Sequence, residues 1–381
     1  MKKNITVILR MVNGCNLSCS YCYDRLNRVN YNNINEIFLE NIEKIINYIE
    51  KFYINKSRTL NLILHGGEPL ILNSNVYENF LKRITERIKN ISISIQTNGT
   101  LLNEEKAKIL NKYNVKIGIS LDGCDEGQNC NRIYKNGKNS FNKVKQTIDM
   151  LRKNNIKFGV IMTLSKNNID KEKEIYNFIK ENNIYCNIRP AFPTNQNIDN
   201  NILMSNDEYS EFFIKMFNIW YYDTSNKVKL KQINEIYEEF IKILEPKMYK
   251  GSCENSINCF GNFVVLDTKG NVYTCNRTYN EKEFFLGNLN ETSLENIINK
   301  CDELCIRRKN EIESSQCIKC EIFKFCHGGC PANSYYLYND FTKPFLYSCK
   351  QKKDIYAYIK QKLEAEGQVL EYNNGKQRGN I

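Results

Sequence analysis

The chain has 381 residues, including 16 cysteines, and its 54 Lys and Arg against 43 Asp and Glu give a net charge of +11. No stretch approaches the roughly 18 apolar residues of a membrane span, and the opening MKKNITVILRMV is too short, and interrupted by Arg10, to be a secretory signal. These features exclude a membrane or secreted protein. We therefore expect a cytoplasmic protein whose cysteines bind metal rather than form disulfides.

From residue 5 to about 225, short β-branched segments alternate with longer amphipathic ones. The predicted strands are ITVILRMV, TLNLILHG, ISISIQTNG, VKIGISLDG, KFGVIMTLS and YCNIRPAFP, with helical patterns near 36–53, 75–89, 103–113, 138–154 and 168–183. Six βα units in series predict parallel strands with right-handed crossovers. Because the alternation stops after six units, the fold class predicted is α/β with a partial (β/α)6 barrel.

The composition changes after the barrel. Two further helical patterns, about 206–222 and 228–246, precede a segment rich in cysteine and turn residues that we expect to have little regular structure. One more helix is predicted at about 351–366, followed by a frayed tail. The predicted divisions are a barrel, a helical bridge, a cysteine-rich domain and a C-terminal helix with its tail, at residues 1–225, 226–250, 251–349 and 350–381.

Three cysteines follow the first strand with the spacing C-x3-C-x2-C, at Cys15, Cys19 and Cys22. Three thiolates do not complete a structural zinc site, which takes four protein ligands. They can hold three irons of a [4Fe–4S] cluster and leave the fourth iron open to a small molecule. This loop is the strongest indication of function in the chain.

Further candidate residues lie at the ends of the next strands, where parallel α/β folds place their functional groups. Strand 2 ends in His65-Gly66-Gly67-Glu68-Pro69, and its two glycines allow close approach of the backbone. Strand 3 ends in Gln96-Thr97-Asn98-Gly99, with an ordinary turn as the alternative. Strand 4 ends in Ser120-Leu121-Asp122-Gly123 and is followed by Arg132.

The cysteine spacing and these strand-end motifs resemble those of radical SAM enzymes. The resemblance implies that the open iron binds S-adenosylmethionine and that an electron from the cluster releases a 5′-deoxyadenosyl radical. It also implies that the cofactor is bound by the following residues: Tyr21, Gly66, Gly67, Glu68, Asn98, Ser120, Asp122 and Arg132.

A second set of cysteines lies in the C-terminal third, and its order from Cys259 onward resembles the SPASM domain of peptide-modifying radical SAM enzymes. The resemblance implies two auxiliary [4Fe–4S] clusters, three clusters in all. Auxiliary cluster I takes Cys253, Cys259, Cys275 and Cys330. Auxiliary cluster II takes Cys317, Cys320, Cys326 and Cys349. Cys253 lies outside the seven-cysteine core, so an open iron in cluster I remains an alternative, and zinc is the alternative for either site.

Seven chemically distinctive residues are left over. The cysteines are Cys124, Cys130, Cys186, Cys301 and Cys305, of which the first two lie near the barrel mouth and Cys301 and Cys305 share a helical face. We expect free thiols, with a redox or substrate-facing role for Cys124 and Cys130 as the alternative. The two histidines, His65 and His327, lack the partners of a nucleophile–base pair, and His327 is expected to be structural.

Two groups of radical SAM–SPASM enzymes match this arrangement. We predict an oxidoreductase of the first group, a maturase that installs a thioether or carbon–carbon crosslink in a ribosomally made precursor peptide. The alternatives are the second group, anaerobic sulfatase-maturing enzymes that oxidise Cys or Ser to formylglycine, and a SPASM-type small-molecule dehydrogenase. The second group uses an Asp base where this chain has Asn276, and an amide cannot accept a proton as a carboxylate does.

The partners expected are a precursor peptide, a separate leader-binding protein, and a flavodoxin or ferredoxin-type electron donor. We interpret the positive charge as a solvated basic surface without a specific role, with attraction of an acidic partner such as a peptide leader as the alternative. The sequence contains no basic motif interleaved with aromatic residues, so we do not expect it to bind nucleic acid.

Overall fold

The structure is a computed structural model that describes residues 5–24, 33–192, 201–224, 253–256 and 259–365. Six parallel strands form its N-terminal half, in the spatial order β6-β5-β4-β3-β2-β1. They are β1 Thr6–Val12, β2 Leu60–Gly66, β3 Ile91–Thr97, β4 Lys116–Ser120, β5 Phe158–Leu164 and β6 Tyr185–Pro190. This α/β architecture confirms the predicted fold class.

Helices alternate with these strands as the amphipathic patterns predicted. In the N-terminal half they are α1 Ile34–Glu40, α2 Ile42–Lys51, α3 Ser74–Arg87, α4 Glu104–Lys112, α5 Phe141–Lys153, α6 Glu172–Asn182 and α7 Asn206–Tyr222. Helix α2 shows why they form: Ile42, Ile45, Ile46 and Ile49 recur at the spacing of one helical face and are all buried.

The helix predicted over 36–53 is instead two helices. Asn41, with φ −100° and ψ 3°, separates α1 from α2, and its side chain donates to the carbonyl oxygen of Ile37. Asparagine competes for backbone hydrogen bonds in this way and so interrupts helices. The helix predicted over 228–246 and the frayed tail lie outside the described residues.

The C-terminal part extends the same sheet. Strand β7, Phe263–Asp267, pairs in parallel with β1, and antiparallel strands β8, Asn271–Tyr273, and β9, Phe285–Asn288, complete a nine-stranded sheet of the described residues. The helices that follow are α8 Leu294–Ser314, α9 Phe323–Cys326, α10 Pro331–Tyr338 and α11 Cys349–Ala365.

The prediction that residues 251–349 have little regular structure is therefore wrong. Helix α8 begins at the capping residue Ser293, whose hydroxyl accepts from the amide of Asn296, and it buries the guanidinium of Arg308. That guanidinium donates to the carbonyl oxygens of Gly328, Gly329, Phe341 and Lys343. One charged side chain thus organises a loop that sequence periodicity does not reveal.

No helix among the described residues has both the length and the apolar character needed to cross a membrane.

Candidate functional site

The first-strand loop and the carboxyl ends of β2, β3 and β4 surround a cavity of about 400 Å³. Residues from β6 and from the C-terminal half close its other side. The predicted residues that line it are Cys15, Cys19, Tyr21, Cys22, Gly66, Gly67, Glu68, Asn98, Ser120 and Arg132. The structure thus brings most of the predicted site residues together.

The thiols of Cys15, Cys19 and Cys22 lie close enough to influence one another electrostatically. The backbone amide of Leu17 donates to the sulfur of Cys15, at 3.4 Å. Burial, and next the Glu68 carboxylate, raise the pKa of the Cys15 thiol to about 12, and Cys19 and Cys22 add to the effect. Three crowded thiols ionise together only beside compensating positive charge. A cationic iron–sulfur centre would supply that charge, so the three sulfurs are a donor set that fits such a centre.

The glycines of strand 2 are required by close backbone contact. A Cβ atom on Gly66 would lie 2.2 Å from the carbonyl oxygen of Val12, and one on Gly67 would lie 2.0 Å from that of Gly14. Any side chain at either position would therefore displace the loop that carries the cysteines.

The Glu68 carboxylate is fully buried and joins the ends of β2 and β3. It accepts from the amides of Leu70 and Asn98, at 2.9 and 2.7 Å, and from the Thr97 hydroxyl at 2.6 Å. Burial raises the pKa of Glu68, and these three donors oppose that shift. The carboxylate is thus held in place by the protein itself.

Asn98 and Ser120 occupy neighbouring strand ends. The Asn98 amide donates to the Asn16 side-chain oxygen at 2.9 Å and lies 3.7 Å from the Cys15 sulfur, so it buttresses the cysteine loop. The Ser120 hydroxyl accepts from Gln96 at 2.9 Å. Both residues line the cavity.

Arg132 reaches the cavity from the loop after β4. Its Nη1 donates to the Tyr21 hydroxyl at 2.9 Å and lies 4.0 Å from the Asp122 carboxylate, which accepts from that hydroxyl and from the amide of Thr163. Its Nε is buried and has no hydrogen-bond partner among the described residues. A buried orphan donor at a cavity wall suits an anionic ligand group. Asp122 contacts Tyr21 but does not itself line the cavity. We call the lining residues 66–68, 98, 120 and 132, with Tyr21 and its partner Asp122, the motif wall.

The second set of cysteines falls into two groups. In the first, the sulfurs of Cys253 and Cys259 lie 3.8 Å apart. The thiolates of Cys253 and Cys330 raise the pKa of Cys275, with burial the larger cause, and Arg277 donates to the Cys330 sulfur at 3.7 Å. These four cysteines are the four assigned to auxiliary cluster I.

The second group lies against α11. Burial raises the pKa of Cys349, and Cys326 and Cys317 raise it further. Cys320 packs beside Cys326, and Lys352 donates to the Cys326 sulfur at 3.8 Å. In the part of the chain that the structure describes, no three His, Cys, Asp or Glu side chains have the geometry for a single metal ion.

The remaining cysteines and His327 have ordinary packing contacts. Cys186 and Cys301 are buried, Cys305 donates to the carbonyl oxygen of Phe260, and Cys124 to that of Glu174. The His327 ring nitrogen Nδ1 lies 2.6 Å from the carbonyl oxygen of Asn255, which is a structural contact.

A second polar cluster, which the sequence analysis did not identify as a unit, lies where β1 meets the C-terminal half. Buried Arg10 pairs with Asp24 at 2.8 Å and donates to the side-chain oxygen of Asn276 at 2.9 Å. The amide nitrogen of Asn276 contacts the Tyr23 hydroxyl at 2.6 Å and His65 Nδ1 at 3.2 Å. We call these five residues the seam cluster. The signal for this cluster in the sequence was the arginine within the otherwise apolar strand ITVILRMV.

Comparison with known families agrees with the architecture. Residues 9–179 match the radical SAM superfamily, and residues 258–321 match SPASM, an iron–sulfur cluster-binding domain. The protein is thus a radical SAM enzyme with a C-terminal SPASM domain, which confirms the resemblance drawn from its motifs.

More particular similarity extends along the whole chain. The cysteine-type anaerobic sulfatase-maturating enzyme of Clostridium novyi (strain NT) is 27% identical over 97% of this chain and 99% of its own. The serine-type enzyme of Klebsiella aerogenes is 25% identical over 84% of this chain and 78% of its own. The solved structure of native anSMEcpe with bound AdoMet and Cp18Cys peptide superimposes with a TM-score of 0.77 at 23% identity, covering 95% of this chain and 98% of that one.

These findings contradict the predicted crosslinking maturase. Streptococcus suis SuiB, solved with its precursor peptide SuiA, is a more distant match, with a TM-score of 0.60 at 18% identity and 73% of its chain covered. The prediction was wrong because it gave decisive weight to Asn276 in place of the Asp base. The separate leader-binding protein loses its basis with that prediction.

Proposed function

We propose that this protein oxidises the side chain of a cysteine or serine within a peptide or protein to formylglycine, as an anaerobic sulfatase-maturing enzyme. The observation that carries this proposal is the similarity to a sulfatase-maturating enzyme over 97% of this chain and 99% of the relative. A match of that extent includes both the barrel and the cysteine-rich half, so it concerns the complete site rather than a shared cofactor domain.

The residues present suit three [4Fe–4S] clusters and S-adenosylmethionine. In this proposal Cys15, Cys19 and Cys22 hold the first cluster, and the two cysteine groups of the C-terminal half hold the others. The motif wall binds S-adenosylmethionine, with the orphan Nε of Arg132 available to an anionic group. When bound, these cofactors supply a 5′-deoxyadenosyl radical and an acceptor for one electron.

The chain's own residues then have separate tasks. The motif wall fixes one side of the cavity, and the seam cluster forms another, with His65 on the cavity surface. Because Asn276 directly follows Cys275, a substrate side chain beside His65 would also lie near auxiliary cluster I. That position suits a substrate radical that must lose an electron.

The substrate in this proposal is a peptide segment, as in the solved relative that holds the Cp18Cys peptide. A flavodoxin or ferredoxin-type protein would supply the electron that reduces the first cluster. The positive charge of the chain, +11, would favour an acidic donor of that kind.

The test is an anaerobic incubation of the reconstituted protein with S-adenosylmethionine, reductant and either the Cp18Cys peptide or its version with serine at the cysteine position. We expect the cysteine to lose its sulfur and gain a carbonyl oxygen, detected by mass spectrometry and hydrazide labelling. The same peptide with alanine at that position is the control for formation of 5′-deoxyadenosine without oxidation. Cofactor cleavage without aldehyde in the cysteine or serine peptide would contradict the proposal.

A further inference from the structure

The orientation of the Asn276 side chain is fixed by its neighbours. Arg10 donates through Nη1 to its oxygen, and a guanidinium can only donate. Arg10 is itself held by the Asp24 carboxylate and by the Asn13 side-chain oxygen, and it stacks on the Tyr279 ring at 3.9 Å. The amide nitrogen of Asn276 must therefore face the other way, toward Tyr23 and His65.

That orientation determines the tautomer of His65. Nδ1 of the imidazole lies 3.2 Å from the Asn276 amide nitrogen and accepts from the backbone amide of Gly66 at 2.8 Å. A hydrogen on Nδ1 could reach the Gly66 carbonyl oxygen, at 3.1 Å, but it would also oppose two N–H donors. Nδ1 is therefore an acceptor, and the hydrogen is on Nε2.

We propose that His65 binds the sulfur of a substrate cysteine, held as its thiolate, through Nε2–H, and that Asn276 is the positioning residue that fixes this tautomer. The inference rests on the proposed function and specifies its substrate. It makes cysteine, rather than serine, the residue that this protein oxidises.

Among the described residues that line the cavity, the charges favour an anion, and both carboxylates are already engaged. Arg189 and Arg277 line the cavity. Of the lining carboxylates, Asp24 is paired with Arg10 and Glu68 is engaged by three donors. Burial of the ring, and next the charge of Arg10, lower the pKa of His65 to about 4, so it is neutral near pH 7.

The acidity of the substrate side chain then decides whether cysteine or serine is accepted. A free cysteine thiol has a pKa of about 8.5, within reach of stabilisation by nearby cations and a hydrogen-bond donor. An alcohol is far less acidic and would need the carboxylate base that Asn276 replaces. A site of cations and N–H donors thus accepts a thiolate and disfavours serine.

The chemistry balances without a protein base. The thiol gives its proton to solvent as the peptide binds. With the cofactors bound, the substrate would lose one β-hydrogen atom to the adenosyl group, which would leave as 5′-deoxyadenosine. It would also lose one electron to an auxiliary cluster, and a carbon–sulfur double bond would remain. Water then replaces the sulfur, giving the aldehyde and hydrogen sulfide.

The inference is tested by anaerobic calorimetry of the cluster-loaded protein with S-adenosylmethionine, titrated with the Cp18Cys peptide and its serine and alanine versions. Titrations in buffers of different ionisation enthalpy give the number of protons released on binding. At pH 7 we expect about one proton released with the cysteine peptide only. Its affinity should fall about tenfold per pH unit from 8 to 6. The charged and titratable groups that face His65 are Arg10 from β1 and Tyr23 and Asp24 from the cysteine loop. Any proton exchange of theirs would appear with all three peptides.

Two variants identify the donor. His65→Leu should abolish the proton release and reduce cysteine-peptide affinity at least tenfold, while His65→Gln, which retains an N–H group, should preserve both. The iron–sulfur absorbance of each variant verifies its folding. Equal oxidation of cysteine and serine peptides, or binding without proton release, would overturn the thiolate site and leave the proposed function standing. No aldehyde from either peptide would overturn both.

Discussion

The motif wall and the seam cluster both contribute residues to one cavity but are assembled differently. Most motif-wall residues belong to short runs at strand ends, and Glu68 finds partners at the end of the next strand, at Thr97 and Asn98. In the seam cluster, by contrast, Arg10 and Asn276 are 266 residues apart in sequence. The proposed cofactor side is therefore recognisable from local motifs, whereas the proposed substrate side depends on how two halves of the chain meet.

The largest expected effect is on the cofactor side. Replacing Cys15 with alanine removes one of three thiols in the first loop. All three are needed to bind three of the four irons and leave only one iron open. We expect loss of about four irons per chain and no 5′-deoxyadenosine above background. Iron analysis and chromatography of the cofactor products measure both.

Cys305→Ala is the matched control, since that thiol is not assigned to any cluster and donates to the Phe260 carbonyl oxygen. It should keep the full iron content, about twelve per chain, and normal cofactor cleavage. Cofactor cleavage by the Cys15 variant would remove the first loop from the proposed site.

The barrel was predictable because its signals are local. Alternating strands and amphipathic helices predicted the parallel order, and the glycines at 66 and 67 predicted the close backbone approach seen at Val12 and Gly14. The pairing of β7 with β1 was not predictable, because it joins Thr6 to Phe263 across most of the chain. The regular structure around Arg308 was missed for a related reason, since its partners are carbonyl groups that leave no sequence pattern.

Asn276 shows how contacts between residues far apart in sequence can mislead a prediction. From sequence it is an amide in place of a carboxylate, which favoured another function over sulfatase maturation. In the structure its oxygen and nitrogen both have partners, Arg10 on one side and Tyr23 with His65 on the other. Asparagine fits this position because one end must accept and the other must donate.

The seam cluster should respond most strongly to loss of Arg10. Arg10→Met removes the guanidinium and leaves the Asp24 carboxylate buried without its partner, and we expect a loss of about 3–5 kcal/mol in the free energy of unfolding. Anaerobic urea denaturation of the cluster-loaded protein measures it.

The double variant Asp24→Asn with Arg10→Met tests whether the unpaired Asp24 carboxylate causes the loss of stability. If the cost arises from an uncompensated charge, the double variant should recover part of the stability that Arg10→Met loses. A double variant no more stable than the single one would mean that Arg10 acts through its contacts with Asn276 and Tyr279 instead. In that case the seam would be stabilised by packing rather than charge.

The smallest effect concerns a contact between the two halves that lies outside the seam cluster. The Tyr48 hydroxyl, on α2, donates to the Asn290 side-chain oxygen at 2.6 Å, so Tyr48→Phe should cost about 0.5–1 kcal/mol. Tyr53→Phe, which removes an exposed local hydroxyl bonded to the Lys56 carbonyl oxygen, should cost less. Because Tyr48 touches no seam residue, its variant should leave the ratio of cysteine to serine oxidation unchanged. A changed ratio would show that substrate choice depends on the whole interface between the halves, and not on the five residues that meet at Asn276.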